Sequence, residues 1–149
     1  MVAQLVGNNA PPQSGEVADH PFYRAYFQCW NEQRYYEAHD VLEQVWLTKD
    51  SADDAFFKGL IQAAGAFVHL QKNFEHPTHP KHGQRLRPAV RLFQLAEKNL
   101  AAFAPQHHGL DVSALIELLK AHREKITRSD YQTNPWAPDN APRLELSFR

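Results

Sequence analysis

The sequence predicts an all-α fold, a compact antiparallel array of about five helices. Apolar residues recur at helical spacing in five segments, and no run alternates convincingly with the period of a strand. The first connection between helices is brief, which favours antiparallel neighbours. The length of 149 residues fits one domain. We place this domain at residues 20–128, between a flexible N-terminal segment at 1–19 and an extended C-terminal tail at 129–149.

Composition excludes several classes of function. The formal net charge of −1 provides no broad cationic field for nucleic acid or for an anionic membrane surface. No apolar run is long enough to span a bilayer, and the N-terminus lacks the pattern of a signal peptide. Cys29 is the only cysteine, so an intramolecular disulfide is impossible and a reducing cytoplasm is the expected location.

The first two helices follow from one proline and a run of aromatic residues. Pro21 suits the first turn of a helix, where its missing N–H is not needed. The aromatic residues that then recur at helical spacing, and should supply much of the core, are Phe22, Tyr23, Tyr26, Phe27 and Trp30. A polar break at residues 31–34 precedes the second helix, which should run to about Leu47.

The third helix should run from about Ala52 to Phe74 and occupy the centre of the array. Ser51 followed by Asp54 resembles an N-cap with an acidic residue in the first turn. Its apolar side carries Phe56, Leu60, Ala63, Ala64, Phe67 and Phe74, and its small, polar side carries Ala55, Gly59, Gln62, Ala66, His69 and Asn73. Glycine disfavours a helix, so Gly59 and Gly65 suggest the close approach of another backbone.

The remaining elements are separated by proline-rich breaks. Two prolines exclude a continuous helix across residues 75–83. A fourth helix is predicted from about Leu86 to Phe103, and Asp111 can cap a fifth. In the tail, Trp136 and Phe148 are the residues expected to hold the chain against the body or against a partner subunit.

The second helix carries the most informative polar residues. At 100° per residue, His39 and Glu43 lie one turn apart, beside the apolar stripe that should face the core. Gln62 and His69 lie along one line of the third helix. If these two helices pack through the small face of the third, the four side chains meet in a polar pocket, with Tyr36 and Trp46 as further members.

Three interpretations of this pocket remain open. It is a buried hydrogen-bond network that fixes helix packing, or a divalent metal site formed by His39, Glu43 and His69. Alternatively, it is an acid–base site in which Glu43 tunes the pKa of His39. Glu37 lies about 160° around the helix from His39. It should face solvent and pair with Arg34 or Lys49, or else contact a neighbouring helix or subunit.

Further histidines occupy two loops. His76, His79 and His82 have a spacing that can chelate a cation, although an exposed loop that binds metal only adventitiously is the favoured explanation. His107 and His108 lie in a later loop and form part of the same general group. Without cysteines, this pattern alone specifies no metal.

The stretch Tyr35-Tyr36-Glu37-Ala38-His39-Asp40-Val41-Leu42-Glu43-Gln44-Val45-Trp46, followed by Gly59-Leu60-Ile61-Gln62-Ala63-Ala64 and His69-Leu70, resembles a known family. It is an uncharacterised bacterial and archaeal family, catalogued as domain of unknown function three hundred and nine. The resemblance covers about Phe22 to Phe103 and implies a compact all-helical domain, with no established activity, cofactor or substrate. Asp40 is a mild variation on the usual Glu. The proline- and histidine-rich segment after Phe74 departs from the short turn of the family, so its role lies outside the resemblance.

The leading functional hypothesis is therefore a small soluble helical domain that acts as a binding or interaction module through the inter-helix pocket. Its partner would be a small molecule or a protein. The alternative is a metal-dependent or acid–base enzyme acting on a small molecule. Self-association into a homo-oligomer through the aromatic residues Trp30, Trp46 and Trp136 is a further alternative.

Overall fold

The predicted all-helical architecture is confirmed. A computed structural model describes residues 17–48, 52–81 and 84–147, with the backbone alone for 45–48. Its helices are α1 (Pro21–Asn31), α2 (Tyr35–Thr48), α3 (Asp54–Glu75), α4 (Leu86–Leu100) and α5 (Val112–Arg128). Two two-residue strands, β1 (Gln106–His107) and β2 (Leu110–Asp111), form a small antiparallel hairpin between α4 and α5.

The helices pack largely in chain order. The most extensive contact is between α3 and α4, and α3 also packs on α2, which in turn packs on α1. The last helix, α5, packs on α4. The expectation that α3 is central is therefore confirmed. None of the helices in the described ranges has a stretch both long and apolar enough to cross a lipid bilayer.

The start of the ordered chain and the start of α3 differ slightly from the expectation. A 3₁₀ turn at Val17–Asp19 precedes α1, and Val17 is buried in the core, so ordered structure begins within the segment assigned to a flexible lead-in. Residues 1–16 lie outside the described part of the chain. The third helix begins at Asp54, with Asp53 at its N-cap position. The proposed cap Ser51 falls outside the described residues, while Asp54 does lie in the first turn as expected.

An aromatic cluster from α1 and α2 fills the centre of the core, as the sequence predicts. The ring of Trp30 packs edge-on against Tyr35 and Phe67, with centroids 5.4 and 4.8 Å away. The buried Tyr26 hydroxyl donates a hydrogen bond of 2.6 Å to the carbonyl of Leu60, so its burial leaves no orphan polar group. One core assignment was wrong. Phe74, near the end of α3, remains 45% exposed.

Helix α4 approaches α3 closely at both glycines of α3. A Cβ added to Gly59 would lie 2.7 Å from Cγ of Leu100, and one added to Gly65 would lie 3.1 Å from Cδ1 of Leu92. The expected close approach is thus real, but leucine side chains of α4, rather than another backbone, make it. The small face of α3 therefore packs on α4.

The chain between α4 and α5 contains a feature that the sequence analysis did not predict. After α4, a 3₁₀ turn at Ala101–Phe103 leads to the hairpin, in which Gln106 pairs with Asp111 and His107 pairs with Leu110. Each strand has only two residues, too few to show an alternating pattern. The predicted cap of α5 is confirmed, because the Asp111 carboxylate accepts a hydrogen bond of 2.9 Å from the Ala114 amide.

The C-terminal tail is extended and packs against the body of the domain. This is one of the two expected arrangements, the other being contact with a partner subunit. The buried Trp136 donates through Nε1 to the hydroxyl of Tyr35 at 3.0 Å. Trp30 is buried as well, so these two aromatic side chains belong to the core and are not available for self-association. The side chain of Trp46 and the whole of Phe148 lie outside the described residues.

Candidate metal centre

Three potential metal ligands meet where the start of α3 contacts the hairpin. The carboxylate of Asp53 accepts a hydrogen bond of 2.8 Å from Nε2 of His107 and one of 2.7 Å from Nε2 of His108, each on a different oxygen. One ligand atom from each of the three side chains lies within 4.8 Å of the other two. Among the described residues, this is the grouping of histidine and carboxylate side chains that has metal-ligand spacing.

The turn of the hairpin directs both imidazoles toward Asp53. Neighbouring residues of a regular strand point to opposite faces. His108, however, has a positive φ of 46° and is followed by Gly109 at 79°. Two successive positive φ values match the tight turns that fit the twist of a two-stranded hairpin, and histidine enters this backbone region more readily than most residues. The change of backbone conformation lets His107 and His108 share one carboxylate.

Aromatic rings surround the two imidazoles. The ring of His107 contacts those of Phe56 and Phe103, with centroids 4.7 and 4.8 Å away, and His108 meets Tyr23 edge-on at 6.1 Å. The exposed fractions of the side chains are 28% for His107, 14% for His108 and 20% for Asp53. The cluster is therefore held by packing and remains in contact with solvent, from which an ion can enter.

The Asp53 carboxylate serves the cluster rather than its own helix. Asp53 occupies the N-cap position of α3, yet its side chain makes no capping hydrogen bond. A capping aspartate contributes about 1 kcal/mol to helix stability. Burial alone would raise the pKa of Asp53, but hydrogen bonds from His108 and His107 and their charges outweigh burial and lower it. The side chain is thus an ionised carboxylate, the form that binds metal.

Tyr23 supports the turn from α1. Its hydroxyl donates a hydrogen bond of 3.0 Å to the backbone carbonyl of His108. Burial, reinforced by the negative charge of Asp53, raises the pKa of Tyr23 well above its usual value. The hydroxyl therefore remains protonated and continues to donate this hydrogen bond at neutral pH.

The donor set fits a first-row divalent metal. Two imidazole nitrogens and one carboxylate oxygen form a known three-ligand set for zinc and for ferrous iron. Ligand atoms around tetrahedral zinc lie about 3.3 Å apart, given Zn–N and Zn–O bonds of about 2 Å. The carboxylate–imidazole contacts of 2.7 and 2.8 Å would need to widen by about half an ångström around such an ion. Each Nε2 would also have to lose its hydrogen, so binding would release protons or shift the ring tautomers.

The inter-helix residues predicted from the sequence lie elsewhere, in two places. On α3, Gln62 accepts a hydrogen bond of 2.7 Å from the Asn99 side chain, and His69 accepts one of 3.1 Å from Arg85. Both partners are on α4 or directly before it. The small face that carries Gln62 and His69 thus meets α4, whereas the expected geometry required it to meet α2.

On α2, His39 and Glu43 are half-buried and share no hydrogen bond with Gln62 or His69 in the described part of the chain. The ring of Tyr36, which is 68% exposed, lies nearly parallel to that of His39 with centroids 6.2 Å apart. His39 Nδ1 is buried and has no hydrogen-bond partner among the described residues. The described residues thus show no hydrogen bond between the α2 pair and the α3 pair, and a binding role for these four side chains stays a prediction.

Within the described ranges, the metal ligands expected between α2 and α3 are not brought together either. His39, Glu43 and His69 do not form a three-ligand grouping among the described residues. His69 faces a guanidinium, and burial, followed by the charges of Arg85 and Lys72, lowers the pKa of His69 to about 4. In the loop, His76 and His79 are exposed with ring centroids 6.3 Å apart, and His82 lies outside the described residues. Metal binding by that loop stays a prediction.

The expectation that Glu37 of α2 faces solvent and pairs with a nearby cation holds. Glu37 is exposed and forms an ion pair of 3.4 Å with Arg34, one of its two predicted partners. Of the adjacent tyrosines, Tyr35 is buried and Tyr36 points outward. These outcomes follow directly from helical periodicity, which fixes the angle between neighbouring side chains.

Sequence reasoning missed Asp53 as a site residue, although it noted His107 and His108. Two local signals were present. An adjacent pair of histidines stands before a glycine at residues 107–109, and an Asp-Asp pair at 53–54 opens a helix. Neither signal joins the two segments, which are 54 residues apart in sequence. Only the path of the chain between α3 and the hairpin brings them together.

One family model matches the part of the chain that contains α1 to α3. Residues 23–77 match the family model described as Domain of unknown function (DUF309). The match confirms the resemblance seen in the sequence, over a shorter range than residues 22–103, and includes Asp53 but not the two hairpin histidines. No curated protein and no solved structure matches the chain.

Proposed function

We propose that this chain, whose residues 23–77 carry the DUF309 match, is a helical domain that binds one divalent transition-metal ion. Asp53, His107 and His108 are the proposed ligands. The observation that carries the proposal is the convergence of their ligand atoms within 4.8 Å, from two segments far apart in the sequence. The ionised carboxylate and the partial exposure of all three side chains support it.

Zinc is the ion that we expect, because it binds histidine and carboxylate together and tolerates a site with three protein ligands. Zinc sites with three protein ligands leave a fourth coordination position open for water or for a substrate. If the site is catalytic, the protein would be a metal-dependent enzyme. The Asp53 carboxylate contacts the two imidazoles and makes no capping hydrogen bond.

Calorimetric titration of the tag-free protein with Zn²⁺ tests the proposal. We expect one ion per chain, and we expect Asp53→Asn and His107→Gln each to abolish binding. Asp54→Asn is the matched control, because it removes the neighbouring exposed carboxylate of the same helix turn and leaves the cluster intact. Equal binding by Asp53→Asn and Asp54→Asn would overturn the proposal. A site lost only when His76 and His79 are replaced would assign metal to the loop instead.

A second candidate function is supported by the α2 residues. Tyr36 is exposed beside His39, whose buried Nδ1 lacks a partner in the described residues, and Glu43 lies one turn further along the helix. An exposed aromatic ring beside a half-buried imidazole suits a binding or interaction module that takes a small molecule or a protein. Changes in the chemical shifts of His39 and Glu43 on screening of small polar compounds would support this function. Shifts confined to the hairpin would count against it.

The proposal also covers the location of the protein, its partners and its self-association. A cytoplasmic location is supported by the single cysteine, which leaves no partner for an intramolecular disulfide. The absence of nucleic-acid and membrane partners is supported by the formal net charge of −1. Self-association stays a proposal that would have to use surfaces other than Trp30 and Trp136, since the monomer buries both.

A further inference from the structure

The turn that carries both histidines is held at two successive backbone carbonyls. The carbonyl of His108 accepts a hydrogen bond from the Tyr23 hydroxyl at 3.0 Å, and the carbonyl of Gly109 accepts one from the Ser147 amide at 2.7 Å. The first donor belongs to α1 and the second to the far end of the C-terminal tail. Two elements distant in sequence from the hairpin therefore fix the backbone from which the imidazoles project.

The tail segment that ends in Ser147 is itself attached to α1. The Asn31 side chain donates a hydrogen bond of 2.8 Å to the carbonyl of Leu144 and accepts one of 2.8 Å from the Leu144 amide. This pair of bonds resembles the pairing between neighbouring strands. Trp30 donates through Nε1 to the carbonyl of Pro142 at 2.9 Å, and the Leu144 side chain is buried. The tail therefore reaches Gly109 from a fixed anchor three residues away.

Such support matters because the turn has an unfavourable backbone conformation. His108 has a positive φ, a region that residues other than glycine occupy in only a few per cent of cases, even though histidine enters it more readily than most. The hydrogen bonds from Tyr23 to the His108 carbonyl and from Ser147 to the Gly109 carbonyl oppose a change in this backbone conformation. Residues that orient metal ligands commonly change metal affinity by about 10- to 100-fold when they are replaced.

We infer that the tail segment 142–147 is a positioning element of the metal site, and that docking of Ser147 and binding of metal are thermodynamically coupled. This inference rests on the proposed function. Because coupling between two binding events is reciprocal, the docked tail should raise metal affinity, and bound metal should hold the tail more firmly. The two effects must have the same size when expressed as a ratio of equilibrium constants.

The test uses full-length variants at one position. Ser147→Pro removes the amide hydrogen that bonds to Gly109, whereas Ser147→Ala keeps it and is the matched control. We expect Zn²⁺ affinity, measured by calorimetry, to fall about tenfold in Ser147→Pro and to be unchanged in Ser147→Ala. In the wild-type protein, Zn²⁺ should slow hydrogen exchange at the Ser147 amide by a similar factor. Circular dichroism of both variants checks that the helices are intact.

The possible outcomes separate the two proposals. Zinc binding of equal affinity in Ser147→Pro and Ser147→Ala would overturn the positioning role and leave the metal site in place. Exchange at Ser147 that does not respond to Zn²⁺ would do the same. A wild-type chain that binds no Zn²⁺ would overturn the metal site and this inference together.

Discussion

The indole of Trp136 donates a hydrogen bond of 3.0 Å to the hydroxyl of Tyr35, a residue 101 positions earlier in the chain. Both side chains are buried, and their rings meet edge-on with centroids 6.1 Å apart. The contact ties the C-terminal tail to α2 inside the core. It makes the tail part of the folded domain rather than an appendage of it.

We expect Tyr35→Phe to lower the free energy of unfolding by about 1 to 3 kcal/mol, because the indole N–H of Trp136 would remain buried without its acceptor. Tyr36→Phe is the matched control. Its hydroxyl belongs to a side chain that is 68% exposed, so its loss should change stability by less than about 0.5 kcal/mol. Urea denaturation of both variants measures the difference. Equal stabilities would mean that the tail is not anchored by this bond.

Gly59→Ala should destabilise the protein, although alanine favours a helix by about 1 kcal/mol over glycine. The new methyl would lie 2.7 Å from Cγ of the fully buried Leu100, and overpacking a core costs about 1 to 3 kcal/mol. Gly65→Ala is the comparison, since its methyl would lie 3.1 Å from a terminal methyl of the half-buried Leu92, which can move aside. We expect it to be neutral or slightly stabilising. Thermal unfolding of the two variants in the opposite order would contradict the close packing of α3 on α4.

Stability should fall as the pH drops from about 6.5 toward 4, with His69 as one cause. Its pKa in the folded protein is lowered from 6.5 to about 4, so within this window the unfolded chain binds a proton that the folded protein does not. The stabilisation is fully present above pH 6.5 and is lost as the pH falls. Urea denaturation at a series of pH values measures the slope, which His69→Gln should reduce.

Lys72→Gln provides a control for the electrostatic part of this effect. Burial and the charge of Arg85 lower the pKa of His69 more than the charge of Lys72 does, so the variant should have a slope between those of wild type and His69→Gln. A slope that is identical in wild type and His69→Gln would show that this imidazole is not held neutral in the folded state.

His39→Leu should raise the free energy of unfolding by about 1 kcal/mol or more, because the buried Nδ1 has no partner in the described residues and its desolvation is uncompensated. His122→Leu is the contrasting variant. There Nδ1 donates a hydrogen bond of 2.9 Å to the carbonyl of Leu118, so its removal should not stabilise the protein. Chemical denaturation measures both, and destabilisation by His39→Leu would indicate that the nitrogen has a structural partner. A stabilised His39→Leu variant fits a residue retained for binding at a cost in stability.

Much of the fold was predictable because helices are encoded locally. The spacing of aromatic residues in α1, the small face of α3 and the cap at Asp111 each depend on residues within a few turns of one another. The same local periodicity correctly placed Glu37 on the outward side of α2. The short hairpin escaped prediction because strands of two residues carry too little pattern, and its turn uses His108 and Gly109 in place of the usual Asn-Gly or Asp-Gly.

The sequence by itself determined which residues form helices and which faces are apolar, since both depend on the 3.6-residue repeat of a single segment. Only the tertiary structure decided that the polar face of α3 meets α4, and that Asp53 meets His107 and His108. The relative position of two packed helices depends on how side chains from both interlock over long sequence separations. No single segment contains that information, so neither the partner of Gln62 nor the composition of the candidate metal site could be obtained from spacing along the chain.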